Sequence, residues 1–396
     1  MSNNDKPVIL SACRTAGGKY GGAFKSVAAP DLGAAVLAEA VKRSAVEPEK
    51  VEELVMGNGW QSGVGANPAR MAGWRSGLLK HAPAFTVNKR CGSGLQSVML
   101  TADRIRLGDI NAGAAGGMES ASNVPYILPD ARWGQRMGDG RLQDILHRDG
   151  FLCPLAEMMM GKTAEILADE YRISREEQDE FALRSHMNAT AAADGGKFDK
   201  EIVPVTVKSR KSEDIIKADE IPRRETSIEK LGRLPALFAA GGSVTAGNSS
   251  ALCDGASALV LSSGSFAASE GVTPMAEIVA YASSTVEPDH MGMGPVGAVN
   301  KALKTAGLTL DDIDLIELNE AFAVQVLAVQ KELPFKLERC NIYGGAISLG
   351  HPIGATGAKI LTTLVHALGT ERKELGLATA CIGGGQAVAM IIRRLN

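Results

Sequence analysis

Residues 40–58 and 302–320 are two readings of one unit, and this internal repeat constrains the fold more than any other feature. The first runs Ala-Val-Lys-Arg-Ser-Ala-Val-Glu-Pro-Glu-Lys-Val-Glu-Glu-Leu-Val-Met-Gly-Asn. The second runs Ala-Leu-Lys-Thr-Ala-Gly-Leu-Thr-Leu-Asp-Asp-Ile-Asp-Leu-Ile-Glu-Leu-Asn-Glu, aligned without a gap at an offset of 262 residues, from Ala40 to Ala302. Each reads as helix, acidic turn and strand. The register continues downstream. Cys91 moved along by nearly the same interval falls at His351, and both sit in glycine turns that feed apolar helical patterns. After each of these helices comes a glycine-ended strand, Ala112–Gly117 in the first half and Leu377–Gly385 in the second. Two βαβ units share patterning by physics alone, but an ungapped run of this length reads as a duplicated α/β domain with helices on both faces of each sheet.

Composition agrees and excludes other classes. The chain has 396 residues, enough for two or three domain-sized units. Its 45% apolar content includes only 4% aromatics, and it has 45 glycines, which suits aliphatic cores and close backbone approaches. A net charge of −3 leaves no nucleic-acid footprint. Six cysteines with no Cys-x-x-Cys pair suit neither a disulfide framework nor a zinc ribbon. The N-terminal residues carry no secretory pattern, no run approaches the length of a membrane span, and the C-terminal Arg-Arg-Leu-Asn is no peroxisomal tripeptide. The expectation is a soluble, cytoplasmic protein that binds neither nucleic acid nor membrane.

In chain order, residues 7–13 predict a buried strand, and Asp31–Ser44 a helix with Asp31 as N-cap after Pro30. Phe85, Thr86 and Val87 predict a strand leading to Cys91. Leu95, Val98, Met99, Ala102 and Ile105 then mark one face of a helix. A lone thiol on a strand-to-helix turn meets free N–H groups and the positive end of a helix dipole, a setting that favours thiolate. The plain alternative is a buried structural cysteine. Between the halves, about 120–248, the pattern is irregular: a Met run at 158–160, a helix near Thr163–Tyr171, a second helix capped by Ser174 with Glu177 at N3, and a charged, loop-like stretch from Gly195 to Arg233. This reads as an insertion, because the strand-like Ala256–Ser262 beyond it is needed to complete the first half.

Two halves about a pseudo-twofold axis would bring the Cys91, His351 and Cys381 turns together beside the Asn319-Glu320 strand end. A Cys–His pair activates a nucleophile. Gly383, Gly384 and Gly385 offer unhindered N–H groups as an oxyanion hole, and a second thiol suits proton transfer at carbon. Zinc held by Cys, His and Cys is the competing reading, although zinc sites prefer closer ligand pairs and a fixed outer shell.

At these residues the chain resembles the thiolases from end to end. The motifs are Asn88-Lys-Arg-Cys91-Gly-Ser-Gly, Gly116-Gly-Met-Glu-Ser120, Thr245-Ala-Gly-Asn-Ser-Ser250, Asn319-Glu-Ala-Phe-Ala323, Gly344-Gly-Ala-Ile-Ser-Leu-Gly-His351-Pro-Ile-Gly and Cys381-Ile-Gly-Gly-Gly385, in order and at family-like spacing. The resemblance implies duplicated αβαβα layers with mixed sheets plus an inserted loop domain: 1–119 with 249–271, 120–248, and 272–396. It implies reversible cleavage of 3-ketoacyl-CoA, or Claisen condensation of two acyl-CoAs, with coenzyme A as substrate, no resident cofactor and no metal. Cys91 would carry the acyl group, His351 would activate it, and Asn319 would hold a water at a first oxyanion site. Cys381 would move the α-proton, and the N–H groups of Cys91 and Gly383 would form a second oxyanion site. Ser250, Arg223, Phe238, Met160, Ala246 and Phe322 would contact CoA or substrate, and 120–148 is long enough for a tetramerising loop in a homodimer or homotetramer. Related condensing enzymes of the ketoacyl synthase type pair their Cys with His/His or His/Asn, so Cys381 speaks against them. A non-catalytic acyl-CoA-binding relative would be expected to lose Cys91 or His351. Four positions depart from the usual pattern: Met159 replaces His, Ala16 replaces Pro, Tyr343 replaces Asn and Ala387 replaces Gly. Met159 suggests a softer pocket that would admit longer or branched acyl groups, and Tyr343 and Ala387 are expected to flank the catalytic residues and reshape the cavity.

Overall fold

In a computed structural model describing residues 6–208 and 212–396, the first half builds β1 (Pro7–Thr15), α1 (Ala29–Ser44), β2 (Glu53–Gly57), α2 (Pro68–Arg75), β3 (Ala84–Val87), α3 (Ser93–Leu107) and β4 (Ala112–Ser120). The insertion contributes α4 (Met160–Tyr171) and α5 (Arg175–Asp194), and β5 (Cys253–Ser263) follows it. The second half builds β6 (Ala276–Thr285), α6 (Gly294–Ala306), β7 (Leu315–Leu318), α7 (Ala323–Glu332), α8 (Thr356–Thr370), β8 (Leu375–Ile382) and β9 (Gln386–Arg394).

Strand order shows the duplication. The first half runs β3-β2-β4-β5-β1 and the second β7-β8-β9-β6, with Cys340 bridging Ile316 where β3 pairs β2 in the first half. In both, the interior strands are parallel up to β4 or β8 and antiparallel after it. The two sheets join edge to edge, where β1 meets β6 at Val8–Glu277 and Ile9–Ala276. Strands β1, β4, β5 and β8 are buried along their whole length, which requires cover on both faces. Helices α1, α2 and α6 supply the outer layers, while α3 and α8 lie between the sheets.

The contact between α3 and α8 positions everything that follows. A Cβ on Gly94 would stand 2.7 Å from the backbone nitrogen of Ala358, and one on Gly357 would stand 2.3 Å from that of Leu95. Without side chains at these two points the helices touch backbone to backbone. Their N-terminal turns, which carry Cys91 and His351, meet in consequence.

Local departures from expectation have local causes. Helix α1 starts at Ala29 rather than Asp31; its N-cap is Ala28, which makes no side-chain cap, and Pro30 sits inside the first turn, where its missing N–H costs nothing. Asp31 instead pairs with Arg75 at 2.9 Å. The capping box of Ser174 and Glu177 is present at α5. The charged stretch 195–233 contains a small antiparallel hairpin, Val205–Lys208 with Glu213–Ile216, where a loop is expected. The helices α3 and α8 begin 263 residues apart, so the structural equivalent of Cys91 is Gly354, three residues beyond His351. Among the described residues no helix is long and apolar enough to cross a membrane.

Candidate active site

One cavity is lined by Cys91, His351, Cys381, Gly383, Met160, Ser250 and Phe322, together with Arg90, Gly150, Phe151, Met291, Ala321 and Ile353. It measures about 70 Å³, room for a few waters' worth of atoms. Cys91 sits in a single 3₁₀ turn, Arg90–Gly92, that feeds directly into α3. Cys381 is the penultimate residue of β8, and the turn after it, with Gly384 and Gly385 at φ +91° and +77°, brings Gly383 back over the cavity.

His351 lies between the thiol and a hydroxyl. Its Nε2 is 3.2 Å from Cys91 Sγ and its Nδ1 is 2.6 Å from Thr356 Oγ1. The hydroxyl of Thr356 donates to the carbonyl of Pro352 at 3.0 Å. A hydroxyl has one proton to give, so toward His351 it accepts, and the imidazole proton sits on Nδ1. Nε2 is left as an acceptor facing the thiol. Burial, Lys359 and Arg90 push the imidazole down to about 3, so it is neutral at rest. Lys359, itself buried, donates to the carbonyls of Leu349 and Gly350 at 2.5 and 2.9 Å and so clamps the turn that presents His351.

The thiol does not behave as its helix terminus suggests. Burial raises Cys91 above the ordinary thiol range; Arg90 and the N–H groups of Gly383 and of Cys91 itself oppose this without reversing it. Desolvation of a charge costs more than one helix end returns, so the resting pair is thiol and neutral imidazole. Cys381 is raised further, by burial first and by Cys91 second. The same two N–H groups that reach Cys91 Sγ are donors set for an oxyanion on an atom bonded to it.

Asn319 is not in the cavity wall. It is buried, its carbonyl accepts from the N–H of the wall residue Ala321 at 3.1 Å, and both polar atoms of its side-chain amide lack a protein partner, a costly state for a buried group. The segment 248–252 docks against this strand end and the histidine turn: Ser250 N–H donates to Ala321 O at 3.0 Å and His351 N–H to Ala251 O at 2.9 Å. That docking puts Ser250 at the cavity and also in an outer groove of about 480 Å³ shared with Phe238, Ala246, Arg223 and Lys19. The groove opens at Arg223 into a third hollow with Arg224 and Lys230. Arg224 is paired with Asp194. Phe238 meets Phe322 edge-on at 6.4 Å, between groove and cavity.

Three of the departing positions lie elsewhere. Tyr343 packs on Phe198 and donates to Glu371, away from the catalytic residues it is expected to flank, whereas Ala387 flanks Cys381 across the strand pair and faces Gly294; neither lines the cavity. Met159 pairs with Leu152, and its neighbour Met160 forms the wall. Among the described residues no three His, Cys, Asp or Glu side chains are placed to hold a metal. Arg90, Thr356, Phe151 and Met291 escape sequence reasoning; only Thr356, opening a helix five residues after His351, leaves a readable cue.

Fold and cavity together define a duplicated α/β protein with a thiol, an imidazole and a second thiol at one buried point. Residues 7–265 match the family described as Thiolase, N-terminal domain, and residues 272–394 the Thiolase, C-terminal domain. The chain is 53% identical over 390 residues to an acetyl-CoA acetyltransferase of Escherichia coli (strain K12), covering 98% of this chain and 99% of that one. It is 46% identical to a probable acetyl-CoA acyltransferase of Staphylococcus aureus (strain COL), covering 98% of each. The crystal structure of the Bacillus anthracis acetyl-CoA acetyltransferase superposes with a TM-score of 0.97 at 44% identity, over 98% of this chain and 99% of that one. The chain belongs to the thiolase family.

Proposed function

We propose that this thiolase cleaves short 3-ketoacyl-CoA with free CoA to give acyl-CoA and acetyl-CoA, and runs the reverse Claisen condensation. The observation that carries the reading is His351 Nε2 at 3.2 Å from Cys91 Sγ, with Cys381 in the same cavity. In thiolysis, Cys91 sulfur attacks the keto carbon as its proton passes to His351 Nε2. The imidazolium then donates toward the developing oxyanion. The bond between the keto carbon and the α-carbon breaks, the acetyl-CoA carbanion takes a proton from Cys381, and the acyl group stays on Cys91. The CoA thiol attacks that thioester, its proton returns to the site, and acyl-CoA leaves. The N–H groups of Cys91 and Gly383 hold the acyl oxyanion, and Asn319, with its unpartnered amide, suits a water completing the other oxyanion site. Exchange of acyl between two sulfurs is nearly even in energy, so the donors serve the harder carbanion step.

Coenzyme A fits the outer groove as a substrate. Its pantetheine would pass Ser250, Ala246 and Phe238, and its phosphates would meet Arg223 and Lys230. We divide the chain accordingly into 1–119 with 249–271, the insertion 120–248, and 272–396. We also propose a homodimer or homotetramer, since Trp74, Phe85 of edge strand β3, and Trp133, Met137 and Leu142 of the insertion expose apolar surface; light scattering on the purified protein reads the state directly.

The small cavity sets the substrate range. Thiolysis of straight-chain 3-ketoacyl-CoAs, followed by loss of enolate absorbance, should give the highest kcat/KM at acetoacetyl-CoA. It should fall about tenfold or more for a six-carbon substrate, the cost of overfilling a packed site. A flat or rising series would overturn the short-chain reading, and no turnover at all the enzyme reading. Thr356→Val removes the acceptor that fixes the His351 tautomer while keeping the side chain's shape. It should lower kcat by about 10- to 100-fold, the range for residues that orient a reacting group, with KM little changed. Thr356→Ser should retain activity; equal losses in both would show that packing, not the hydroxyl, is what matters.

A further inference from the structure

Among the described residues Arg90 is the one charged side chain in the wall of the cavity, and its setting is unusual. It holds a left-handed backbone conformation, φ +50°, which a non-glycine residue adopts only when its surroundings demand it. Its Nη1 donates to the carbonyl of Asp149 at 2.9 Å and its Nη2 to that of Gly150. These carbonyls belong to the insertion, and Gly150 and Phe151 form part of the cavity wall. The third face of the guanidinium, Nε, is buried and has no partner. It lies beside Gly383, where a Cβ would stand 3.1 Å from it. Among the described residues no carboxylate comes within ion-pair distance of Arg90; the neighbouring Asp149 carboxylate turns to Arg148.

We propose that Arg90 is a positioning residue that bolts the insertion over Cys91 and supplies the fixed positive charge that makes the ionised thiol reachable. The inference rests on the nucleophile reading of Cys91. An ammonium or guanidinium held by carbonyls alone keeps its full field, because neutral acceptors satisfy its hydrogen bonds without cancelling its charge. The groups facing Cys91 are few. His351 is on the turn before α8, Cys381 is the penultimate residue of β8 and Glu119 that of β4; Lys359 acts on His351 from within α8. Glu119 accepts from the N–H groups of Gly59, Trp60 and Gly354 and from Asn58, and it opposes the thiolate. Cys381 is neutral, as is His351, so among the described residues Arg90 is the leading charged group that favours negative charge on Cys91 through space. The same charge disfavours imidazolium on His351, so the pair holds its proton loosely at either end.

The test is the pH dependence of alkylation of Cys91 by iodoacetamide on the intact, substrate-free chain, read at that peptide by mass spectrometry so that the other five thiols do not interfere. Arg90→Met should move the profile up by about one pH unit or more, the effect of losing an opposite charge at close range, and so slow alkylation near neutrality about tenfold. Arg90→Lys, which keeps the charge and loses the two-carbonyl grip, should stay close to the wild-type profile. If Arg90→Met titrates with the wild type, or if Arg90→Lys moves as far as Arg90→Met, the charge has no role and the proposal falls. Should Arg90→Met fail to fold by circular dichroism, Arg90→Gln carries the same two outcomes. The nucleophile reading is tested separately by turnover of Cys91→Ser, which leaves the alkylation result on Arg90 interpretable either way.

Discussion

Cys91→Ser is expected to lose thiolysis of acetoacetyl-CoA by about a thousandfold or more, the scale of removing a covalent nucleophile. The geometry makes the loss severe. His351 is held neutral and is pushed down to about 3, so it is a weak base; it can take a proton from a thiol as the sulfur attacks but not from an alcohol, whose proton is far harder to remove. The acyl product would be an ester, and its transfer to the CoA thiol would run uphill. Serine is no larger than cysteine, so the fold should persist with an unchanged melting temperature. Enolate absorbance gives the rate and intact mass the acyl adduct, which should be missing. Turnover within tenfold of the wild type would remove Cys91 from the mechanism.

Cys381→Ala separates the two chemical halves. In the proposed mechanism acylation of Cys91 by acetyl-CoA uses His351 and the N–H groups of Cys91 and Gly383, none of which the change removes, so the adduct should still form. Exchange of the α-protons of acetyl-CoA with deuterated solvent should fall on the order of 10³-fold, within the range for a lost general base. Burial and the neighbouring Cys91 hold this thiol well above its ordinary range, so in the proposed mechanism it is protonated at rest and is the donor. It becomes a base only when bound substrate and the oxyanion donors stabilise charge beside it. Wild-type exchange in the alanine variant would assign the base to another group.

Much of the architecture is legible in the chain because it depends on local pattern. The ungapped match of 40–58 with 302–320 predicts two copies of one α/β unit, and the two sheets repeat one strand order. The apolar stripe after Cys91 predicts α3, and the Ser174 capping box predicts α5; both depend on residues within a few positions of each other. Where the reading slips, a competing short-range effect is at work. Pro30 is taken as the residue before a helix when it sits inside the first turn. The alternating Val205–Lys208 and its partner Glu213–Ile216, which does not alternate, are hidden by their charge, since a solvent-facing hairpin needs few apolar residues.

The site is legible only in part. Cys91, His351 and Cys381 stand out by type and by glycine context, and they line one cavity. Their ionisation does not follow from sequence: the helix terminus argues for thiolate, and burial, which involves β4, β8 and the insertion, decides for thiol. Tyr343 is close to the site in sequence and packs away from it against Phe198, while Ala387 sits opposite Cys381 across the strand pair without reaching the cavity. Arg90 and Phe151 are 61 positions apart and reach the same wall because the insertion folds back over the first half.

The sequence alone determined that the chain is a doubled α/β protein, where the glycine turns and helices around Cys91 and His351 lie, and which side chains have the chemistry to move an acyl group. Those properties follow from periodicity, glycine placement and residue type over short spans. Only the tertiary structure decided that the α3 and α8 backbones touch at Gly94 and Gly357, that Thr356 sets the histidine tautomer, and that the thiol rests protonated under a fixed cation. Each of these depends on distance and desolvation between residues far apart in the chain, and no local pattern encodes the electric field at a buried sulfur.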